Sequence, residues 1–443
     1  MTLVYDNSET WYRPIETPKA NWLPSALILT VVLISFRPFS SGYVPQIGEP
    51  LPQQQGDIAN QIGFGLVGLF CAALLIKRSC SSVLTASLHP AWVLLTPVLF
   101  MSVVSSDNPM ASFRAMMFSL IVVMAAFTAL SLPRNLPELV QVLAISCGIA
   151  LVFSYLAVFF VPAQGVHAGE IFEVQHTGLW KGVYDHKNVA AYVMGSFTII
   201  GWFVARNGKP VAGALLILFS LVFVVQAGSK TVLGILPATI LAAMIAHWVS
   251  WRPIKFLVVV TPVLILTAVT LGSVIYDPIL TALQSVFPGL TYTGRLDLWI
   301  FGIEHASKAP WLGYGFESFW STPRVIGLEQ PIELSWDVRG IVHGHNSWLD
   351  SALAFGVPGA LILFGALVIL PVWDYLRIPA SGNAGRLADL YIAIWMFTAL
   401  GACLESFFFR RADPVWFCML IAVVGLRLTA HMTTHHNRAP MDQ

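Results

Sequence analysis

Long apolar runs set the pattern of this chain. Twelve stretches, near 22–39, 59–76, 88–105, 112–130, 138–161, 188–205, 210–227, 231–249, 254–275, 347–370, 388–408 and 414–428, are apolar with few charges. A helix crossing a bilayer needs about 20 such residues, so each run predicts a membrane span. Pro97 interrupts the third run and Arg114 enters the fourth. The expected organisation is an N-terminal tail over 1–21, nine spans over 22–275, one large loop over 276–346, three spans over 347–428 and a tail over 429–443. The first run follows polar residues that include Pro14 and Pro18, with no basic leader or small-residue cleavage site, so no cleaved signal peptide is read. No direct or inverted repeat stands out. The fold class is therefore all-α integral membrane protein.

Composition agrees. Hydrophobic residues make up 56% and charged residues 11%, with a mean hydropathy of +0.73. Soluble domains carry about 25% charged residues. A soluble enzyme, a coiled coil and a disordered chain are excluded. The net charge of +1 leaves no footprint for nucleic acid. The five cysteines form no CxxC or spaced cluster, so neither a zinc site nor a disulfide framework is suggested.

Orientation follows Lys/Arg bias in short loops. With the N-terminus in the cytoplasm, Lys77, Arg78, Arg134, Arg206, Lys209, Arg252, Lys255, Arg377, Arg386 and Arg427 all fall inside. Both tails are then cytoplasmic, and the 276–346 loop is outside. That loop is rich in proline and tryptophan, which excludes one long helix and argues against disorder. Within it, 294–308 predicts a helix with Leu296, Trp299, Ile300 and Ile303 on one face.

The informative cations break this bias. Arg37, Arg114, Lys181, Lys187, Lys230, Arg295, Lys308, Arg324, Arg339, Arg410 and Arg411 fall outside or at the outer membrane edge. Ionisable groups at membrane depth point to function by default. Several converging on one face suit a polyanion, and a lipid-linked diphosphate is the obvious one in a membrane. The alternative for each is simple snorkelling to the headgroups, and Arg410 and Arg411 have Glu405 and Asp413 as ready partners.

Two segments concentrate polar chemistry. Gly182–Asn188 places His186, Lys187 and Asn188 at the start of a span, where helix N–H groups favour an anion. The competing reading is a polar cap with Asn188 as N-cap. His343-Gly344-His345-Asn346 enters the tenth span. An imidazole with a pKa near 6.5 suits proton removal from a sugar hydroxyl, which casts His345 as a base. Asn346 orients it or binds substrate, and Asp350 lies one turn further on. A metal on His343 and His345 needs completion by His167, His176 or His186, and two ligands are too few.

These residues resemble the O-antigen ligase and polymerase superfamily of bacterial membrane glycosyltransferases. The resemblance rests on Gly182–Asn188 (GVYDHKN), Ser229-Lys230-Thr231, Gly294–Trp299 (GRLDLW), and His345-Asn346 followed at fixed spacing by Gly356-Val357-Pro358-Gly359. Pro310–Phe316 with Phe319-Trp320 resembles the ExoQ-like exopolysaccharide polymerases. The resemblance implies about twelve spans of GT-C-like type in a bacterial inner membrane, with the site on the periplasmic side. It implies metal-independent, cofactor-free transfer from an undecaprenyl-diphosphate-linked oligosaccharide, with inversion. His345 maps onto the essential histidine and Arg295 onto the loop arginine. Lys230 stands where the family has arginine, keeping the charge but losing the bidentate fork. Arg114, His186, Lys187, Asn188, Asn346 and Arg410 are expected around the substrate. For a polymerase, a chain-length-determining co-polymerase is an implied partner. The rivals are a ligase that transfers polymer to lipid A–core and a transporter of the same lipid-linked sugar.

Overall fold

The computed structural model describes residues 22–36, 38, 58–78, 85–86, 90–168, 174–286, 292–329 and 337–436. Arg37, Cys80 and most of both tails lie outside them. A helix stands at each of the twelve predicted positions. They are α1 (Trp22–Ile34), α2 (Ile58–Arg78), α3 (Pro90–Val104), α4 (Pro109–Ser131), α5 (Leu136–Phe160), α6 (Lys187–Arg206), α7 (Pro210–Ala227), α8 (Lys230–Trp248) and α9 (Arg252–Ile275). Two helices of the 276–346 segment follow, α10 (Asp277–Val286) and α11 (Arg295–Lys308). The last three are α12 (Ser347–Arg377), α13 (Gly382–Ala402) and α14 (Pro414–His436). Among the described residues nine helices are long and apolar enough to cross a membrane, α1 and α3 are shorter, and α13, although 21 residues long, is not among the nine.

Caps explain where these helices begin. Asn108 accepts from Ala111 N at the start of α4, and Asn135 accepts from Glu138 N at the start of α5. Each is followed by a proline within the first turn, where a missing N–H costs nothing.

Burial ranks the bundle. The apolar window of α14 is 83% buried and that of α8 only 22%, so α14 is central and α8 peripheral. Trp395, Phe397, Trp416 and Phe417 fill the centre between α13 and α14. Leu241 and Met244 of α8, with Leu215 and Leu218 of α7, are exposed, as a lipid-facing belt requires. The α6–α7 hairpin closes tightly because Gly213 meets Ala205 and Gly201, where a Cβ would collide with main chain.

Contacts sort the two ends of the bundle. Arg386 Nη1 donates to Asn207 Oδ1 (3.3 Å), Arg427 pairs with Asp374 (3.3 Å), and Lys255 lies over the Tyr375 ring. These residues gather at one end. The starts of α6 and α12 and the end of α13 gather at the other.

Three sequence expectations are corrected here. The window 388–408 is displaced, because helix α13 spans Gly382–Ala402 and the chain turns at Cys403. Phe407 and Phe408 read as membrane helix but lie in a loop, where Phe408 packs against Trp348 and Trp416 and Phe407 against Tyr192. The C-terminal helix runs on to His436, past the expected start of a tail at 429. On α11 the buried face is Leu298, Trp299, Phe301 and Gly302, whereas Ile300 is exposed. Trp299 and Phe301 join Phe319, Val325, Val338, Leu349 and Leu353 in a second small core at the site end.

Helix α12 is kinked at Gly356, whose φ of 67° and ψ of 177° no other residue adopts without strain. The kink opens the hydrogen-bond ladder. Val357 N donates to Pro310 O (2.7 Å) instead of up its own helix, and the freed carbonyls of Leu353 and Ala354 accept from Tyr314 N (2.7 Å) and Gly315 N (3.1 Å). The 310–315 segment is thus moored to α12 through its main chain.

Candidate active site

Four segments meet at the site end: the start of α6, the start of α11, the turn before α12 and the loop after α13. At their junction lies Glu405. Its Oε1 accepts from Arg295 Nη2 (2.6 Å) and from Asn188 Nδ2 (2.9 Å), and its Oε2 lies 2.9 Å from His345 Nδ1. Both oxygens of this nearly buried carboxylate are therefore engaged by donors.

The pairing settles which nitrogen of His345 carries the proton. Nδ1–H donates to Glu405, which leaves the Nε2 lone pair as the basic position. Arg295 Nη2 is also 3.5 Å from Nδ1, but two donors cannot bond each other, so that approach follows from sharing Glu405. Burial lowers the His345 pKa, the Glu405 carboxylate opposes this, and the Arg295 guanidinium and His186 add to the lowering. The net value is below the ordinary 6.5, so the ring is neutral at pH 7 and able to accept a proton. Burial pushes the Glu405 carboxyl up, but Arg295 and His345 outweigh it and hold Glu405 well below the usual carboxylate range.

The turn carrying His345 is held on all sides. His345 has a φ of 49°, left-handed for a residue with a side chain. Asp350 accepts from Gly344 N with both oxygens (3.1 Å each) and from Trp320 Nε1 (2.7 Å). Trp299 Nε1 donates to Gly344 O (3.0 Å). Asn346 is fully buried. Its Oδ1 accepts from Trp348 N and Leu349 N, and its Nδ2 donates to Cys403 O (2.8 Å). It caps α12 and staples that helix to the end of α13. The expected substrate-binding role for Asn346 gives way to this one, because its side chain faces protein throughout.

At the start of α6 the N-cap is His186, not Asn188. His186 Nδ1 accepts from Asn188 N (3.1 Å), and His167 Nε2 accepts from Lys187 N (3.1 Å). Imidazoles thus occupy the leading N–H groups that an anion was expected to use. Asn188 faces Glu405 instead, and Lys187 is buried, with Nζ 3.4 Å from Asn188 Oδ1.

The remaining cations are dispersed. Lys230 is exposed at the first position of α8. The adjoining Gly228 lies against Leu179, in the strand of chain that leads to His186. Arg411 pairs with Glu317 (2.5 Å) and Arg410 Nη1 donates to Ser406 O (3.3 Å). Neither makes the expected pair with Glu405, which Arg295 and His345 already occupy. Arg114 is half-buried on α4, in the same turn of helix as Ala111, whose carbonyl accepts from Arg411 (3.5 Å). His167, His176 and His186 do meet, edge to face with ring centroids 5.1–5.6 Å apart. Among the described residues no three His, Cys, Asp or Glu side chains are placed to hold a metal ion.

Sequence reasoning named His345, Arg295 and Asn188 but overlooked Glu405 as a site residue. Its signal was an acid at the outer end of an apolar run, as informative as the cations.

Residues 189–364 match a family model described as O-Antigen ligase. The matched stretch begins one residue after Asn188 and contains both Arg295 and His345. No curated protein matches the chain.

Proposed function

From the premise that this is a membrane protein of the O-antigen ligase and polymerase superfamily, we propose that it polymerises lipid-linked oligosaccharide repeats of an exopolysaccharide. The donor is an undecaprenyl-diphosphate-linked glycan, and the site faces the periplasm of a bacterial inner membrane. The observation that carries this reading is the His345–Glu405–Arg295 constellation. It combines a neutral base of defined tautomer with a guanidinium beside it.

His345 Nε2 takes the proton from the acceptor hydroxyl, and Glu405 stabilises the imidazolium that forms. The acceptor oxygen attacks the anomeric carbon, opposite the departing diphosphate, so the anomeric centre inverts. Arg295 supports the negative charge that develops on the leaving diphosphate, with Lys187 and Arg114 as lesser candidates. Lys230, exposed at the start of α8, meets the carrier phosphate from the membrane side. Diphosphate is a good leaving group, so no general acid and no metal is required. The exopolysaccharide assignment rests on the resemblance of Pro310–Phe316 and Phe319-Trp320 to ExoQ-like polymerases.

The test is His345→Ala in the native strain, reading the size and sidedness of the lipid-linked glycan. Loss of a general base costs about 10²–10⁴ in rate, so single repeats should accumulate facing outward, with little long polymer. Full-length polymer left on its carrier identifies a ligase instead, as the family description names. Repeats trapped on the inner leaflet identify a transporter. A chelator should leave the purified protein active.

A further inference from the structure

A cavity of about 460 Å³ lies beside the His343–His345 turn, within the range of about 300–1,000 Å³ typical of small-molecule sites. Its walls are the 315–321 segment, the first turns of α12 and the 406–411 loop. His343 lines it, whereas His345, Glu405 and Arg295 do not. It adjoins the constellation above across the His343–His345 pair.

The lining mixes aromatic rings with hydroxyls and balanced charge. Phe319, Trp320 and Phe408 provide apolar faces, and Asp350, Ser351 and Arg410 provide polar edges. Its two carboxylates, Glu317 and Asp350, equal its two guanidiniums, Arg410 and Arg411, and Arg411 is already paired with Glu317. Such a cavity repels neither sign and selects neither, which suits a neutral polyol better than a diphosphate. A sugar ring has this divided character, with C–H faces for aromatic rings and O–H edges for polar groups.

Three details orient such a ring. Trp320 is held in plane by its bond to Asp350 Oδ1 (2.7 Å). Asp350 Oδ2 accepts the shared Gly344 N–H (3.1 Å), and a carboxylate oxygen has room for a further donor. His343 Nδ1 accepts from His345 N (3.3 Å), so its proton sits on Nε2, the edge left for the cavity. The His343 and His345 ring centroids are 4.3 Å apart. A ring seated in the cavity thus lies next to the His343–His345 pair, with a hydroxyl edge toward the base.

We propose that this cavity is the acceptor subsite, holding the terminal sugar of the accepting glycan against Trp320 and Phe408, while the lipid diphosphate lies on the Arg295 side. The proposal rests on the glycosyltransferase reading above. His343 is a positioning residue here and His345 the base.

The experiment uses the full chain in nanodiscs. The donor is the strain's own lipid-linked repeat, and the acceptor is the same repeat released from its carrier by mild acid. Trp320→Ala removes the stacking face, and Val342→Trp, at an exposed rim position, obstructs the mouth without disturbing the interior. Each should raise the acceptor KM about tenfold and leave the donor KM within about twofold, the difference expected for one lost binding contact. Trp320→Phe should recover most of the acceptor affinity. Saturation-transfer NMR with the released repeat and no donor should detect contact with wild type and not with Trp320→Ala, a readout independent of turnover. A rise in donor KM instead would mean that the carrier diphosphate occupies the cavity, and unchanged acceptor KM in both variants would mean that it is idle. Either overturns this proposal while transfer by wild type upholds the parent reading. Absence of any transfer by wild type, at native thermal stability, overturns both.

Discussion

In the proposed mechanism His345 accepts a proton on Nε2, and Glu405 fixes that tautomer by accepting a hydrogen bond from Nδ1–H. Its charge and hydrogen bond raise the His345 pKa against the pull of burial. In Glu405→Gln that support goes, and the unmasked Arg295 charge lowers the pKa further. The acid limb of the kcat profile should therefore move to lower pH, and the plateau should fall by part of the ~10²–10⁴ that a general base supplies. An acid limb that stays in place or moves up would remove Glu405 from the proton path. Arg295→Ala should leave an inserted protein with little product, since one charge-stabilising donor is worth about 2.7–4 kcal/mol at a transition state. At this scale the sequence is legible where a residue type has one chemical use. His345 and Arg295 stood out because a histidine before a membrane span and a cation outside it both break a rule. Glu405 was hidden because Phe407, Phe408 and Phe409 extend the apolar run past it, and a run cannot reveal where its helix stops.

Helix starts carry the site, so caps rank among its critical contacts. Asn346→Ala removes three side-chain hydrogen bonds at the start of α12 and leaves the buried Cys403 carbonyl without that donor. Losing such a cap costs about 0.5–2 kcal/mol. The thermal midpoint should drop, and activity should fall with it because His345 is the adjoining residue. An unchanged midpoint would mean that the cap is dispensable. Asp413 caps α14 in the same manner, accepting from Val415 N (2.8 Å) and Trp416 N (3.1 Å). Burial raises its pKa from 3.8 to about 6. A raised acid adds stability below its unfolded value and loses it as pH rises through the folded value. Asp413→Asn keeps an acceptor and cannot titrate. Its midpoint should exceed that of wild type above about pH 6 and lose that advantage toward 3.8, as thermal scans across this range will show. Element positions were largely readable from apolar run lengths. Helix ends were not, because they depend on caps such as His186 and on the turn at Cys403.

The molecule as a whole has two unlike ends, and this makes its orientation testable. Asn207 touches Arg386 at one end, whereas Arg324 pairs with Asp107 (2.8 Å) at the end that carries the constellation. Reporter fusions after 206 and at 382 should read cytoplasmic, and fusions near 325 should read periplasmic. A cytoplasmic signal at 325 would put the constellation on the wrong side for exported repeats. Apolar runs were legible as helices because a bilayer imposes a common length on its crossings. The convergence of residues 188, 295, 345 and 405 was not, because it is made by packing between distant segments. The kink at Gly356 bears on how such proteins diversify. Its freed carbonyls and N–H receive the 310–315 segment through main-chain bonds, and Gly313 and Gly315 lie so close that a Cβ on either would collide with the main chain of Leu353 or Ser106. The mooring thus fixes glycine at 313 and 315 and leaves the exposed side chains of Trp311 and Leu312 out of the docking. Mutation can rewrite 311 and 312 without touching that mooring, whereas a side chain at 313 or 315 would unseat the segment from α12.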